Sequence, residues 1–324
     1  MIRTRAIGLG AIGLGLAALL ATSGGAFAQS YPNQTVKIVV PFSAGSITDG
    51  LARILADKLS TMWKQQVIVE NRPGLPGTAG VATAPKDGYT LMLTSNGHTI
   101  ARAINKAVPF DPVKDFAGIS IVASAPVVAI VPADTPAKTL KDFIEVARKN
   151  PGKLNFASAG VASTTFLAAE IMRQEAKISM VHVPFKGVPE AVTAVIRGDV
   201  QLYFAPIPSA QSQSKAGKVR ALAINSAKRA PQMPEIPTVA EAALPNYQHD
   251  AWFGVMAPTG TPAAILNKVS QDIAAVLKMK DVIDQMYAVG NIPAATTPAE
   301  FDAVIRRDTE RFTKVMMDAG IAPE

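Results

Sequence analysis

Apolar positions along this chain follow two rhythms in alternation. Residues 37–40, Lys-Ile-Val-Val, are a short β-branched run closed by Pro41 and predict a buried strand. Leu51, Ile54, Leu55 and Leu59 then recur at helical spacing. The same strand-then-helix order returns: strands are expected over 66–70, 89–94, 127–131, 153–157, 200–204, 219–224 and 252–258. Short helices are expected near 75–80, after Thr139, through Leu167 and Ile171, and over 189–197. Two longer ones begin at Thr261-Pro262 and at Thr297-Pro298-Ala299-Glu300. The second start is a capping box with proline at the first helical position. This alternation indicates an α/β fold built on parallel sheets, whose ligands sit beyond the carboxyl ends of the strands.

The order of elements implies two lobes. Residues 29–125 and 251–324 are expected to form the first lobe and residues 126–250 an inserted second one. The chain then crosses between them twice, near Ser124 and near Asp250, which is a hinge geometry. In each lobe one strand feeds a small-residue loop and a helix start. The first loop carries Phe42, Ser43, Ala44, Gly45, Ser46, Thr48 and Asp49; the second carries Ser158, Ala159, Gly160, Ser163, Thr164 and Thr165. Ser-Ala-Gly occurs in both, and Thr48 falls opposite Ser163 in this short internal echo. Such a turn aims backbone N–H groups from the positive end of a helix dipole, so it is an anion seat.

Composition narrows the compartment. Arg3 and Arg5, an apolar run over 7–20 and the small-x-small site Ala26-Phe27-Ala28 read as a signal peptide, residues 1–28, cleaved near Ala28. A retained anchor is the alternative; the run is short and glycine-rich for a span of roughly 20 residues. The expected location is the periplasm, with secretion from the cell as the alternative. The 324 residues contain no cysteine, which excludes disulfides, thiol chemistry and a lipidated cysteine after the leader. Net charge falls from +7 to +5 on losing the leader, which carries two arginines and no acid. Basic residues run no longer than pairs such as Lys228-Arg229, without interleaved aromatics, so nucleic-acid binding is not expected.

Two seats facing one cleft would each take one carboxylate of a small acid. A charge at a helix start gains roughly 0.3–1 kcal/mol, and each hydrogen bond to a charged acceptor about 1.5–3 kcal/mol. Several donors together reach the roughly 8 kcal/mol of a micromolar complex. Neither loop has an arginine, so main-chain amides and hydroxyls do the binding; the bland reading is two ordinary capped turns. Asp49 is either a helix cap or an acceptor for a ligand amine, hydroxyl or water. Ser95, Asn96 and His98 follow the strand over 89–94 into the same cleft, His98 as a rim residue rather than a base. Phe42 and Phe204 would press on the ligand's carbon skeleton. Ala205 beside Phe204, and Asp250 at the second crossing, complete the candidate set.

Catalytic signals are weak. His98, His182 and His249 lie outside metal-ligand spacing of one another. The chain lacks a G-x-S-x-G elbow, a phosphate loop and a G-x-G-x-x-G turn. No enzyme activity, metal or cofactor is expected. Two rivals remain: a module whose liganded form docks on a membrane signalling protein, and an exported hydrolase with a site assembled in space.

The stretches PFSAGSITDGLAR, VIVENRPGLPGTAG, KDGYTLML, SAGVASTTFLAAE, VPFKGVPEAV and WFGVMAPTGTP resemble, in this order, the substrate-binding receptors of tripartite tricarboxylate transporters, often called Bug proteins. The resemblance runs from about Tyr31 to the C-terminus. It implies a two-lobe type II periplasmic-binding-protein fold. It also implies a monomer that captures a small mono- or dicarboxylate and delivers it to a membrane permease. In such receptors the loops matching residues 42–49 and 158–165 hold the carboxylates through backbone amides and ordered waters. This chain departs where paired glycines are usual, with Gly45-Ser46, and has Phe166 where a histidine is common. Side chains in place of glycine narrow the pocket or restrict the turn, and Phe166 removes a polar helix position, so the location of the site carries over better than its ligand.

Overall fold

A computed structural model describes residues 31–160, 163–247 and 249–323; the expected leader and the loop residues Val161 and Ala162 lie outside them. Strand β1 (Val36–Val40) leads into helix α1 (Ile47–Trp63), followed by β2 (Val67–Asn71), α2 (Leu75–Ala82) and β3 (Thr90–Ser95). A 3-10 turn (Asn96–Ile100) and α3 (Ala101–Ile104) precede β4 (Phe116–Ser124). The next elements are β5 (Val127–Pro132), α4 (Leu140–Lys149), β6 (Asn155–Ser158), α5 (Thr164–Glu175), β7 (Val181–Pro184), α6 (Val188–Arg197), β8 (Leu202–Pro206), α7 (Ile207–Lys215), β9 (Val219–Ile224) and α8 (Val239–Ala242). The chain closes with β10 (Trp252–Pro258), α9 (Ala263–Val276), α10 (Lys280–Ala288), β11 (Ile292–Pro293) and α11 (Pro298–Asp318).

These strands build two sheets. One has the order β11-β4-β10-β3-β1-β2 and the other β7-β6-β8-β5-β9. The chain leaves the first sheet after Ser124 and re-enters it at Trp252; the two crossings are joined where the Ala125 amide donates to the Ala251 carbonyl at 2.9 Å. The sheets are mixed, not purely parallel. β10 runs antiparallel to both β3 and β4, and β5 antiparallel to β8 and β9. In the first sheet β10 and β11 run opposite to β1–β4, and in the second β5 runs opposite to β6–β9.

Both faces of each sheet are covered, and this explains why the strands read as continuous apolar runs. On β1, Val36, Ile38 and Val40 join the core formed with α1 and α9, while Val39 points to the opposite core with Met92, Trp252 and Phe301. On β5, Val127, Ala129 and Val131 face one core and Val128 and Ile130 the other. The pleat's two-residue period is therefore filled on both sides.

Helix α11 spans the two sheets. Its capping box holds as expected, with Glu300 and Thr297 exchanging hydrogen bonds. Phe301 and Ile305 pack with Trp252 and Met256 under the first sheet, whereas Phe312, Val315 and Met316 sit in the core around Phe156 and Phe166 of the second. Its first turns thus lie in one sheet's core and its last turns in the other's.

Candidate functional site

The register places the first seat. β1 pairs in parallel with β3, Val39 opposite Met92, so Phe42 and Ser95 leave the same end of the sheet side by side. Ser46 caps α1, its hydroxyl oxygen accepting from the Asp49 amide at 3.2 Å. Gly45 takes φ of 81°, a left-handed turn that strains other residues. Ser43, Ala44 and Gly45 form the exposed crest of the loop, Phe42 is half-buried against the core, and Thr48 is buried.

Asp49 is only 3% exposed, and its carboxylate is already occupied. Oδ2 accepts from the Gly45 amide at 2.9 Å and from Arg53 Nε at 3.0 Å, and Oδ1 from Asn71 Nδ2 at 3.0 Å. Burial pushes its pKa up, but the hydrogen bonds from Arg53, Gly45 and Asn71 outweigh this and hold it below the ordinary value. Of the two roles expected for Asp49, the geometry shows the internal one: it ties the loop crest to the helix and to β2. Asn71 also donates to the Phe42 carbonyl at 3.2 Å, so it props the same loop from behind.

The second seat is built the same way with a longer loop. Ser163 caps α5, accepting from the Phe166 amide at 3.2 Å, and Gly160 takes φ of 106°. The caps show that Ser46, not Thr48, is the counterpart of Ser163; two more residues separate glycine from cap in the second loop. Thr165 Oγ1 accepts from the Ala159 amide at 2.9 Å, and Ser158 Oγ from the Gly160 amide at 3.1 Å. Three crest amides, those of Gly45, Ala159 and Gly160, are therefore held by side-chain oxygens. Each cap takes the third helical amide. Helix geometry leaves the first two, Ile47 and Thr48 in α1 and Thr164 and Thr165 in α5, without an intrahelical partner. Those are the donors that an anion placed at each helix start would meet.

One contact links the two sheets' units near the seats. Thr164 Oγ1 lies 3.4 Å from Asn96 Oδ1, joining the start of α5 in the second sheet's unit to the residue after β3 in the first. The Asn96 side-chain nitrogen is buried without a partner among the described residues, an expensive state that a ligand acceptor would relieve.

Four expected positions lie elsewhere. His98 is not on a rim: it is 6% exposed, its Nε2 is 2.9 Å from the Pro112 carbonyl, and its ring stacks on Phe110 at 5.8 Å. Burial lowers its pKa to about 4, so it is neutral. Phe204 and Ala205 are fully buried, one in each of the cores that sandwich β8. Asp250 lies on the second crossing, where its Oδ1 accepts from the Ala227 amide at 3.1 Å, and it lines a separate cavity.

Two residues near the second seat were missed. His182 Nε2 is 2.7 Å from Ser158 Oγ, and the ring packs between Phe156 and Phe166 at 5.0 and 4.8 Å. Burial lowers the His182 pKa, and the Ser158 hydroxyl that meets its Nε2 also accepts from the Gly160 amide. Tyr203, opposite Ala157 in the sheet, carries a buried hydroxyl close to the Thr165 side chain of the second seat. Its position one residue before Phe204, hence on the other face, was the available signal.

Two sheets joined by crossing segments, with a polar seat offered by each, define a bilobal solute-binding protein. The model of the tripartite tricarboxylate transporter family receptor matches residues 51–321, and the chain belongs to that family. A UPF0065 protein from the tcbD-tcbE intergenic region of Pseudomonas sp. (strain P51) is 35% identical over 294 residues, covering 90% of this chain and 88% of the relative. Rpa4515 of R. palustris, solved with adipate, superposes with a TM-score of 0.73 at 31% identity, over 91% of this chain and all of that one. MatC of Rhodopseudomonas palustris, solved with bound malate, gives 0.68 at 30% identity, over 88% of this chain and 99% of that one.

Proposed function

We propose that this protein is an extracytoplasmic receptor that holds a small mono- or dicarboxylate between residues 42–49 and 158–165 and passes it to a tripartite tricarboxylate permease. The observation that supports the reading is the Asn96–Thr164 contact, which links the start of α5 to the residue that follows β3, beside the strand that leads into residues 42–49. The relatives solved with adipate and malate support a dicarboxylate. Residues 1–28 act as the export leader, so the mature chain works in the periplasm as a monomer and turns over no substrate. Residues 29–125 with 251–324, and 126–250, move as lobes about the Ser124 and Asp250 crossings. Binding exchanges pocket water for donors already fixed by Ser46 and Ser163, the condition under which weak individual contacts add up to affinity.

A thermal-shift screen tests this directly. Adipate, malate or a related acid at about 100 times its dissociation constant stabilises the protein by about 2.7 kcal/mol. A raised melting temperature with acids and none with neutral sugars is expected. Shifts with sugars alone would remove the carboxylate reading.

A further inference from the structure

A second cavity opens at the crossings, away from both seats. It has a volume of about 480 Å³, within the range of small-molecule sites, and none of the residues 42–49, 95–98 or 158–165 lines it. Its apolar walls are Ile121, Trp252, Ile292 and Val304; its charged rim is Lys228, Arg229 and Arg307 against Asp250. Arg307 gives Nε and Nη2 to Asp308, and Arg229 gives Nε to Glu241 and Nη1 to the Pro234 carbonyl. Among the described residues, each guanidinium keeps one terminal nitrogen for another acceptor. Lys228 has no ion-pair partner among the described residues, and Asp250 is engaged by the Ala227 amide.

We propose that this cavity is a second ligand site, for an amphiphilic monocarboxylate with an aromatic or branched body. An apolar chamber with cations on one side fits one anionic head and one hydrocarbon body. A short dicarboxylate would have to bury its second charge against Ile121 and Ile292, which is costly. Sugars lack the anion and gain little from the walls. The walls come from both sides of the crossings. Ile121, Ile292, Val304 and Arg307 belong to the first sheet and its helices, whereas Lys228 and Arg229 follow β9 of the second. An occupant therefore prefers one angle between the two and changes affinity in the cleft by the same factor that a cleft ligand changes its own.

Trp252 provides the reporter, since the chain holds only one other tryptophan, Trp63, which Trp63→Phe removes. With 4-phenylbutyrate as probe, saturable change in Trp252 emission is expected at one site per chain, and it persists with the cleft saturated by adipate. Ala227→Phe, an exposed position at the mouth, should abolish the change, and Lys228→Gln should weaken it at least threefold, both leaving the adipate thermal shift in place. Displacement of the probe by adipate through simple competition would place it in the cleft and overturn the proposal. So would absence of saturable binding, or binding indifferent to Ala227→Phe. Failure of adipate to bind at all, with the probe response intact, would count against the receptor reading above and not against this site.

Discussion

Replacing Arg173 with methionine should destabilise the protein by about 3–5 kcal/mol, because it strands a carboxylate in the core beneath the second seat. Glu170 is 2% exposed in α5, and Arg173 grips it with two bonds: Nε to Oε2 at 2.8 Å and Nη2 to Oε1 at 2.5 Å. Gln174 Nε2 adds a neutral donor at 2.7 Å and also ties α5 to the Val315 carbonyl of α11. With Arg173 gone, one amide is left to compensate a buried negative charge. The loss is a large share of the 5–15 kcal/mol that ordinary domains possess. Urea unfolding of the variant measures it. Glu170→Leu combined with Arg173→Met should recover most of the loss, since removing both charges removes the stranded one. A single-variant loss below about 1 kcal/mol would mean that water reaches Glu170 and that the pair behaves as a surface ion pair.

Acidification from pH 7 to 5 should remove about 4 kcal/mol more, through His98 and His249 together. Burial holds His98 at about 4 and His249 at about 3; nearby Arg311 lowers the latter further, and Phe312 packs on its ring. In the unfolded chain both titrate near 6.5. Their folded pKa values are depressed, so on lowering the pH the unfolded state takes up protons first. Stability is full above the unfolded value and falls steadily below it until the folded values are reached. Each histidine contributes about 2 kcal/mol over this interval. His182, also lowered by burial, shifts in the same sense. The carboxylates held low by their partners, such as Asp49 and Asp142, lose their contribution only below about 4, the unfolded carboxylate range, whereas Asp250, raised by burial, acts in the opposite sense. Urea midpoints across pH 5 to 7 give the slope. A flat or rising stability on acidification would show that these rings are not kept neutral.

The elements with local signals were legible in the residues. The boxes at Thr139 with Asp142 and Thr297 with Glu300 start their helices where expected, because each is a reciprocal pair of hydrogen bonds within four residues. β9 and β10 match their expected bounds, since continuous apolar runs bounded by turns are strands buried on both faces. β4 escaped notice because Gly118 and Ser120 interrupt its alternation. Their places are explained only by distant partners: Asp302 accepts from the Gly118 amide and Ser120 Oγ from the Thr296 amide. Helix α7, Ile207–Lys215, has only Ile207 and Ala210 buried, too narrow a stripe to announce a helix. α10 was missed as well, lying between two helices with stronger start signals.

The site divides along the same line. Seat positions followed from small residues between a strand and a helix, a local pattern. His98 fell outside because a carbonyl fourteen residues on, at Pro112, claims its ring, a contact no spacing rule contains. Phe204 and Ala205 occupy a strand end that elsewhere opens on the cleft, yet both faces of β8 are roofed. His182 went unassigned because its link to Ser158 runs between adjacent strands, β6 and β7, whose pairing is a tertiary fact. The Phe166 that replaces an expected histidine packs against that ring, so an imidazole still stands behind the seat, supplied from the neighbouring strand.

The central claim is that one small acid is gripped by two helix starts at once. A crystal structure of the protein with the dicarboxylate giving the largest thermal shift tests it most directly. The expected electron density has one carboxylate at the amides of Ile47 and Thr48, the other at those of Thr164 and Thr165, and Asn96 Nδ2 donating between them. A dicarboxylate seated away from both helix starts, or touching one alone with its far end in solvent, would contradict the account.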